Sequence, residues 1–187
     1  MTARTLRSTY QLKITLRDTR PPVWRRIQVA SSASLADLHL AVQVVMGWSD
    51  SHVHVFTDED FHYGVPDPAY PGALRDETGV RLEKVLKREK ERLSYVYDLG
   101  DEWEHEVVLE KILPFDPGTR LPICLKGSRA CPPDDVGGLP GYAAFLEAIA
   151  DPSHPEHDER LEWIGFDFDP QHFDLAETNF LLRTYCD

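Results

Sequence analysis

Thr9-Tyr10-Gln11-Leu12-Lys13-Ile14-Thr15-Leu16-Arg17, followed after Arg20-Pro21-Pro22 by Val23-Trp24-Arg25-Arg26-Ile27-Gln28-Val29, decides the fold class. In the first run Tyr10, Leu12, Ile14 and Leu16 fall at every second position, the period at which an extended chain returns side chains to one face. The second run alternates likewise, Val23, Arg25, Ile27 and Val29 against Trp24, Arg26 and Gln28. Two half-buried strands across a Pro-stiffened turn read as a β pair. Ser34 then opens a helix with Asp37 as its capping partner. Leu35, Leu38, Val42, Val45 and Met46 form the apolar stripe, and Gly47 is the stop.

Working outward from this β-β-α start, further strands are predicted at 52–57, 94–97 and 104–113, with a short one around Phe61-His62-Tyr63 inside a Pro/Gly-rich loop at 58–79. Residues 81–92 (RLEKVLKREKER) are helix-prone but offer only Leu82, Val85 and Leu86 for burial. The Pro/Gly-rich stretch 114–141 predicts no regular structure, and helices follow at 140–150, 155–163 and 175–185. Strands early and helices late make this an α+β chain. The expectation is a single domain over 1–187 with its core at about 8–184, a mainly antiparallel sheet of five or six strands packed with helices, and a first half of β-grasp type.

A chain of 187 residues can bury one sizeable core, and 42% hydrophobic with 28% charged residues places it among folded globular proteins rather than disordered ones. No apolar run reaches membrane-span length, and the first ten residues lack a secretory apolar stretch. Three cysteines, an odd number, argue against a disulfide framework, so the expected location is cytoplasmic, with no membrane partner. The net charge of −12 is uneven: residues 98–187 carry 6 Lys/Arg against 20 Asp/Glu, whereas 1–97 carry 14 against 12. That balance disfavours direct nucleic-acid binding, for which Arg7, Arg17, Arg20, Arg25 and Arg26 would have to share a face, and makes a protein partner the expectation.

The chemistry-bearing residues cluster. The turn after Tyr97 holds Asp98, Asp101, Glu102 and Glu104 around Gly100, with Trp103 and His105 beside them. His52-Val53-His54 places two imidazoles on one face of a strand. Cys131-Pro132-Pro133-Asp134-Asp135-Val136-Gly137-Gly138 sets two carboxylates between stiff and permissive backbone. A divalent ion, zinc above all, suits His52, His54, Asp101 and His105 as ligands, with Asp98 or Asp134 as the base toward water. Trp103, Asp135 and Cys131 are further site candidates. The plainer reading of the same residues is an acidic turn whose Asp side chains bond their own backbone, over histidines packed in the core. Cys124 and Cys131, seven positions apart, lack zinc-finger spacing, and no nucleophile elbow or phosphate loop occurs.

Five motifs in order carry a family likeness: Arg20-Pro-Pro-Val-Trp-Arg-Arg26; Met46-Gly47-Trp48 before His52-x-His54-x-Phe56; Tyr97-Asp98-x-Gly100-Asp101-x-Trp103-x-His105; Cys131-Pro-Pro-Asp-Asp-x-Gly-Gly with Gly141-Tyr142; and Phe168-Asp169-Pro170 before Phe173-Asp174. Their sequence resembles the plasmid pRiA4b open-reading-frame-3-like family, whose members also carry a mobile-element "TnpR" label. The resemblance implies a single α+β domain from plasmids, mobile elements and bacterial chromosomes. It does not extend to resolvase chemistry, which needs an Arg cluster around a nucleophilic Ser. The leading expectation is a non-enzymatic accessory or interaction protein with a polar His/Asp cleft. The alternative is a metal-dependent hydrolase acting on a phosphate ester or nucleic acid.

Overall fold

The computed structural model describes residues 8–186. Eight strands form one sheet: β1 (Ser8–Leu16), β2 (Trp24–Ala30), β3 (His54–Thr57), β4 (His62–Gly64), β5 (Arg75–Asp76), β6 (Arg92–Tyr97), β7 (Trp103–Pro114) and β8 (Ile123–Ser128). Their spatial order is β5-β4-β3-β6-β7-β1-β2-β8, antiparallel throughout except for the β4–β5 pair. The alternation in β1 does what it predicts, for Leu12, Ile14 and Leu16 are at most 1% exposed. Each such burial stabilises by roughly 1.5–3 kcal/mol. The β-β-α opening is present, but the second neighbour of β1 is β7, so strands from both halves of the chain interleave.

A bulge in the β1–β7 ladder between Gln11 and Leu12 leaves Glu110 as the extra residue. Its carboxylate accepts both the Nε and an NH2 group of Arg26, at 2.6 and 2.8 Å, and the Gln11 amide at 2.9 Å. Helix α1 (Leu35–Met46) crosses the apolar face with the predicted capping box of Ser34 and Asp37, and Gly47 stops it in the left-handed region at φ 94°. Helices α3 (Gly138–Ala150) and α4 (His157–Ile164) pack on each other, and α5 (Leu175–Tyr185) lies on β8. The Asn179 amide closes that edge by donating to the Cys124 carbonyl at 2.9 Å and accepting its N–H at 2.8 Å.

Two segments depart from expectation. The predicted helix at 81–92 shrinks to one turn, α2 (Leu82–Val85). Only Leu82 and Leu86 are buried there, the Glu91 carboxylate takes the N–H groups of Lys87 and Arg88, and Lys90 turns left-handed at φ 75°. Such a narrow apolar stripe cannot hold a longer helix in water. The stretch 114–141, expected to be irregular, contains β8. The strand forms by adding to β2, and Gly127 admits the Arg25 and Phe173 side chains that any Cβ there would meet at 2.6–2.8 Å. With β5 as well, eight strands replace five or six.

Candidate functional site

The β6–β7 hairpin sets Tyr95 opposite His105 and Tyr97 opposite Trp103, and β3 sets His54 opposite Tyr97. Trp48, just past α1, fixes the neighbouring loop by donating its indole N–H to the Pro132 carbonyl at 3.0 Å. Two polar groups result on this face, one self-contained and one open.

The self-contained group is built on His39 of α1. Nε2 of His39 meets the Asp50 carboxylate at 2.8 Å and Nδ1 meets the Tyr95 hydroxyl at 2.9 Å. Burial, and then the neighbouring His54, depress the His39 pKa, so the ring is neutral. A carboxylate only accepts, so Nε2–H donates to Asp50 and Nδ1 accepts from Tyr95. The Tyr95 oxygen then accepts from Gln43 Nε2 at 2.9 Å, and Gln43 Oε1 accepts the Asp50 backbone N–H at 3.0 Å. The circuit closes with every group used. His54 stacks on His39 and gives Nε2 to the buried Glu77 carboxylate at 2.8 Å.

The open group is His52, Asp98 and Asp135, whose ligand atoms all lie within 4.8 Å of one another. Nε2 of His52 stands 3.7 Å from Asp98 Oδ2 and 3.4 Å from Asp135 Oδ1, and it is buried without a hydrogen bond among the described residues. Asp98 and Asp135 both hold left-handed backbone, at φ 57° and 59°. The other Asp98 oxygen accepts the N–H groups of Gly100 and Asp101, which aims Oδ2 at His52. Asp134 accepts from Ser49 through Oδ2 at 3.0 Å, and its Oδ1 is buried without a partner among the described residues.

The expected quartet of His52, His54, Asp101 and His105 does not converge. The strand expected at 52–57 begins only at His54, so His52 lies in the bend before it, and the two nitrogens part, one toward Asp98 and Asp135 and the other toward Glu77. Asp101 accepts the Gly137 N–H at 3.1 Å and ties the acidic turn to the 131–138 loop. His105 is fully buried beside Trp48 and Tyr95, with Nδ1–H donated to the Tyr95 carbonyl. Desolvation lowers its pKa to about 4. Trp103 is core, and burial pushes the Cys131 thiol up and keeps it protonated. Sequence reasoning missed His39, Asp50 and Glu77. The one available signal was His39 four residues after Leu35, on the apolar stripe of α1.

The arginines expected to offer a phosphate face are largely engaged. Arg25 is 2% exposed and donates to the carbonyls of Val45, Trp24, Ser128 and Arg129. Arg26 is held by Glu110 and Arg17 by Glu104, while Arg20 is exposed. Arg7 lies outside the described residues. Among the described residues no helix is long and apolar enough to cross a membrane, and the three cysteines are free.

Comparison with known proteins follows the same line. The family model of plasmid pRiA4b ORF-3-like proteins matches residues 8–177. The chain is 39% identical over 174 residues to Uncharacterized protein y4hQ of Sinorhizobium fredii (strain NBRC 101917 / NGR234), a match covering 92% of this chain and 87% of that protein. The crystal structure of MM3350, a protein of unknown function from Methanosarcina mazei Go1, is similar with a TM-score of 0.83 and 37% identity, over 92% of this chain and 98% of that one.

Proposed function

The chain belongs to the plasmid pRiA4b ORF-3-like family, and from that premise we propose that it is a non-enzymatic accessory binding protein of plasmid and mobile-element type whose polar cleft takes a divalent cation at His52, Asp98 and Asp135. One observation carries this reading: a buried imidazole nitrogen without a hydrogen bond among the described residues, facing two carboxylate oxygens at 3.4 and 3.7 Å. An ion about 2.1 Å from each of its ligands holds tetrahedral neighbours about 3.4 Å apart. The donor set, one nitrogen and two oxygens, suits zinc first and manganese next. A cation there satisfies the His52 nitrogen and neutralises two carboxylates in one step.

The test is calorimetric titration of Zn2+ and Mn2+ into the wild-type chain, His52→Ala and, as a control, His62→Ala. The reading requires one ion per chain in the wild type and the control, with affinity at least tenfold weaker in His52→Ala, the scale seen when metal-site groups are removed. Absence of stoichiometric uptake, or equal uptake by all three, overturns the cation reading.

A second reading, metal-dependent hydrolysis of a phosphate ester or nucleic acid, is favoured by one feature. The Asp135 side chain is 73% exposed, so three protein ligands leave a solvent-facing position, as catalytic zinc sites do. Asp98 becomes a ligand in that scheme, and Asp134, with Oδ1 unpartnered, becomes the base. Turnover of bis(p-nitrophenyl) phosphate by the zinc-loaded chain, lost in Asp134→Asn with zinc retained, is its signature.

A further inference from the structure

A cavity of about 540 Å3 lies between the last turn of α1, the 130–134 segment, the 166–169 segment and the start of α5. It shares only the Asp134 segment with the cation cleft and includes none of the three proposed ligands. Its wall combines two kinds of group. Trp48, Phe166, Phe168 and Phe173 supply aromatic surface, and Asp134, Asp167 and Glu177 supply carboxylates. We infer that this cavity receives an arginine side chain from a basic segment of a protein partner.

The sign of the ligand follows from the charges. The basic side chains lining the cavity are Arg25 and His172, and Arg25 already spends its donors on four backbone carbonyls. An anion would face the carboxylates with little to hold it. An incoming cation meets them directly, and it is steered by the acidic half of the chain, where residues 98–187 carry 6 Lys/Arg against 20 Asp/Glu.

The aromatic rings favour guanidinium over ammonium. A planar guanidinium stacks on a ring and forks onto a carboxylate at once, whereas an ammonium is a hydrated point charge. Among the described residues this contact occurs three times, with Arg25 over the Phe173 ring at 4.4 Å, Arg26 over Trp24 at 5.3 Å and Arg75 over Phe61. Phe168 is anchored against Phe145 and Tyr142, while Phe166 is 62% exposed on the outer side of Phe168. An anchored ring with a free one beside it leaves aromatic surface for an entering side chain.

The experiment measures fluorescence anisotropy of labelled hexa-arginine and hexa-lysine peptides with the full chain. Three proteins are compared: wild type, Phe166→Ala/Glu177→Gln, and Glu59→Gln, the last removing the same charge at a distant loop. The expected result is hexa-arginine binding at least about fivefold tighter than hexa-lysine. The double variant loses about tenfold in hexa-arginine affinity, and Glu59→Gln stays within about twofold. Equal affinity for the two peptides with equal losses in both variants means diffuse attraction to an acidic protein and overturns the proposal, as does no binding. A readout on the unaltered chain guards against a misfolded variant. Hexa-arginine must shift the Trp48 indole N–H resonance, and a stationary Trp48 signal in the presence of bound peptide also overturns the assignment.

Discussion

His39 and His54 lie face to face, their ring centroids 3.5 Å apart and their planes 7° from parallel. Each turns an outer nitrogen to a carboxylate, His39 to Asp50 and His54 to Glu77, so two imidazoles are sandwiched between two acids. Two charged rings at that distance repel strongly in a poorly solvated interior. Burial and the Asp50–His39–Tyr95–Gln43 circuit avoid this by holding His39 neutral.

That circuit makes Tyr95 its most vulnerable member. Tyr95→Phe removes one oxygen and strands two buried groups, His39 Nδ1 and Gln43 Nε2. An unsatisfied buried polar group costs about 1–3 kcal/mol. The expected loss is therefore about 2–4 kcal/mol in urea unfolding, since the two stranded groups share one vacated position. A loss under about 0.5 kcal/mol would show that water replaces the hydroxyl at once.

Acid should destabilise the chain through its histidines before its carboxylates. His105 has a folded pKa of about 4, against about 6.5 for an unfolded histidine. The unfolded state therefore binds more protons between those values, so the His105 contribution to stability is full above about pH 6.5, falls as pH drops through the window and is spent below about pH 4. The shift corresponds to about 3 kcal/mol from His105, and the depressed His39 pushes in the same direction. The lowered carboxylates Glu110 and Asp58 act only at lower pH, so the window above about pH 4.5 reports histidines. Urea midpoints measured across pH 4–8 should show this slope in the wild type and a flatter one in His105→Gln. Parallel curves would mean that His105 does not govern it.

Gly141 cannot take a side chain. A Cβ there would stand 2.0 Å from the Val136 carbonyl oxygen, and both partners are backbone, so neither can rotate away. Gly141→Ala must therefore move α3 or the 131–138 loop, at a cost of at least about 2 kcal/mol on the scale of forced overpacking. Gly79→Ala, where a Cβ meets nothing within 4 Å, is the control and should change the unfolding midpoint little.

The β1–β2–α1 opening was legible because apolar residues recur at the period of each element, with Arg25 the polar exception in β2, and Ser34, Asp37 and Gly47 punctuate the helix. β8 was not, since Leu125 and Lys126 are exposed, Gly127 follows, and the strand exists only by pairing with β2. At the site, composition marked His52, Asp98, Asp134 and Asp135, yet it grouped His52 with His54 and His105. Period two fixes the face of a strand on which a ring lies. It says nothing of ring direction, and here His52 precedes β3 and turns its nitrogen toward Asp98 and Asp135 while His54 turns its own toward Glu77. His39, Asp50 and Glu77 reach Tyr95 and His54 from three separate segments, a tertiary meeting that no local spacing encodes.

Asp101, read from the sequence as a ligand, should behave as a positioning residue. Its Oδ2 accepts the Gly137 N–H, and its backbone carbonyl oxygen lies 2.7 Å from where a Cβ on Gly138 would stand. The acidic turn carrying Asp98 is thereby clamped to the loop carrying Asp135. Asp101→Ala releases the clamp without touching a ligand atom, so Zn2+ affinity should fall by about tenfold. Asp101→Asn keeps an oxygen acceptor and should recover most of that loss, which a true ligand carboxylate would not allow, because a neutral amide is a poor zinc donor. The decisive comparison is therefore between the two variants: Asn near wild type and Ala weak identifies a clamp, whereas both equally weak would restore Asp101 to the coordination sphere.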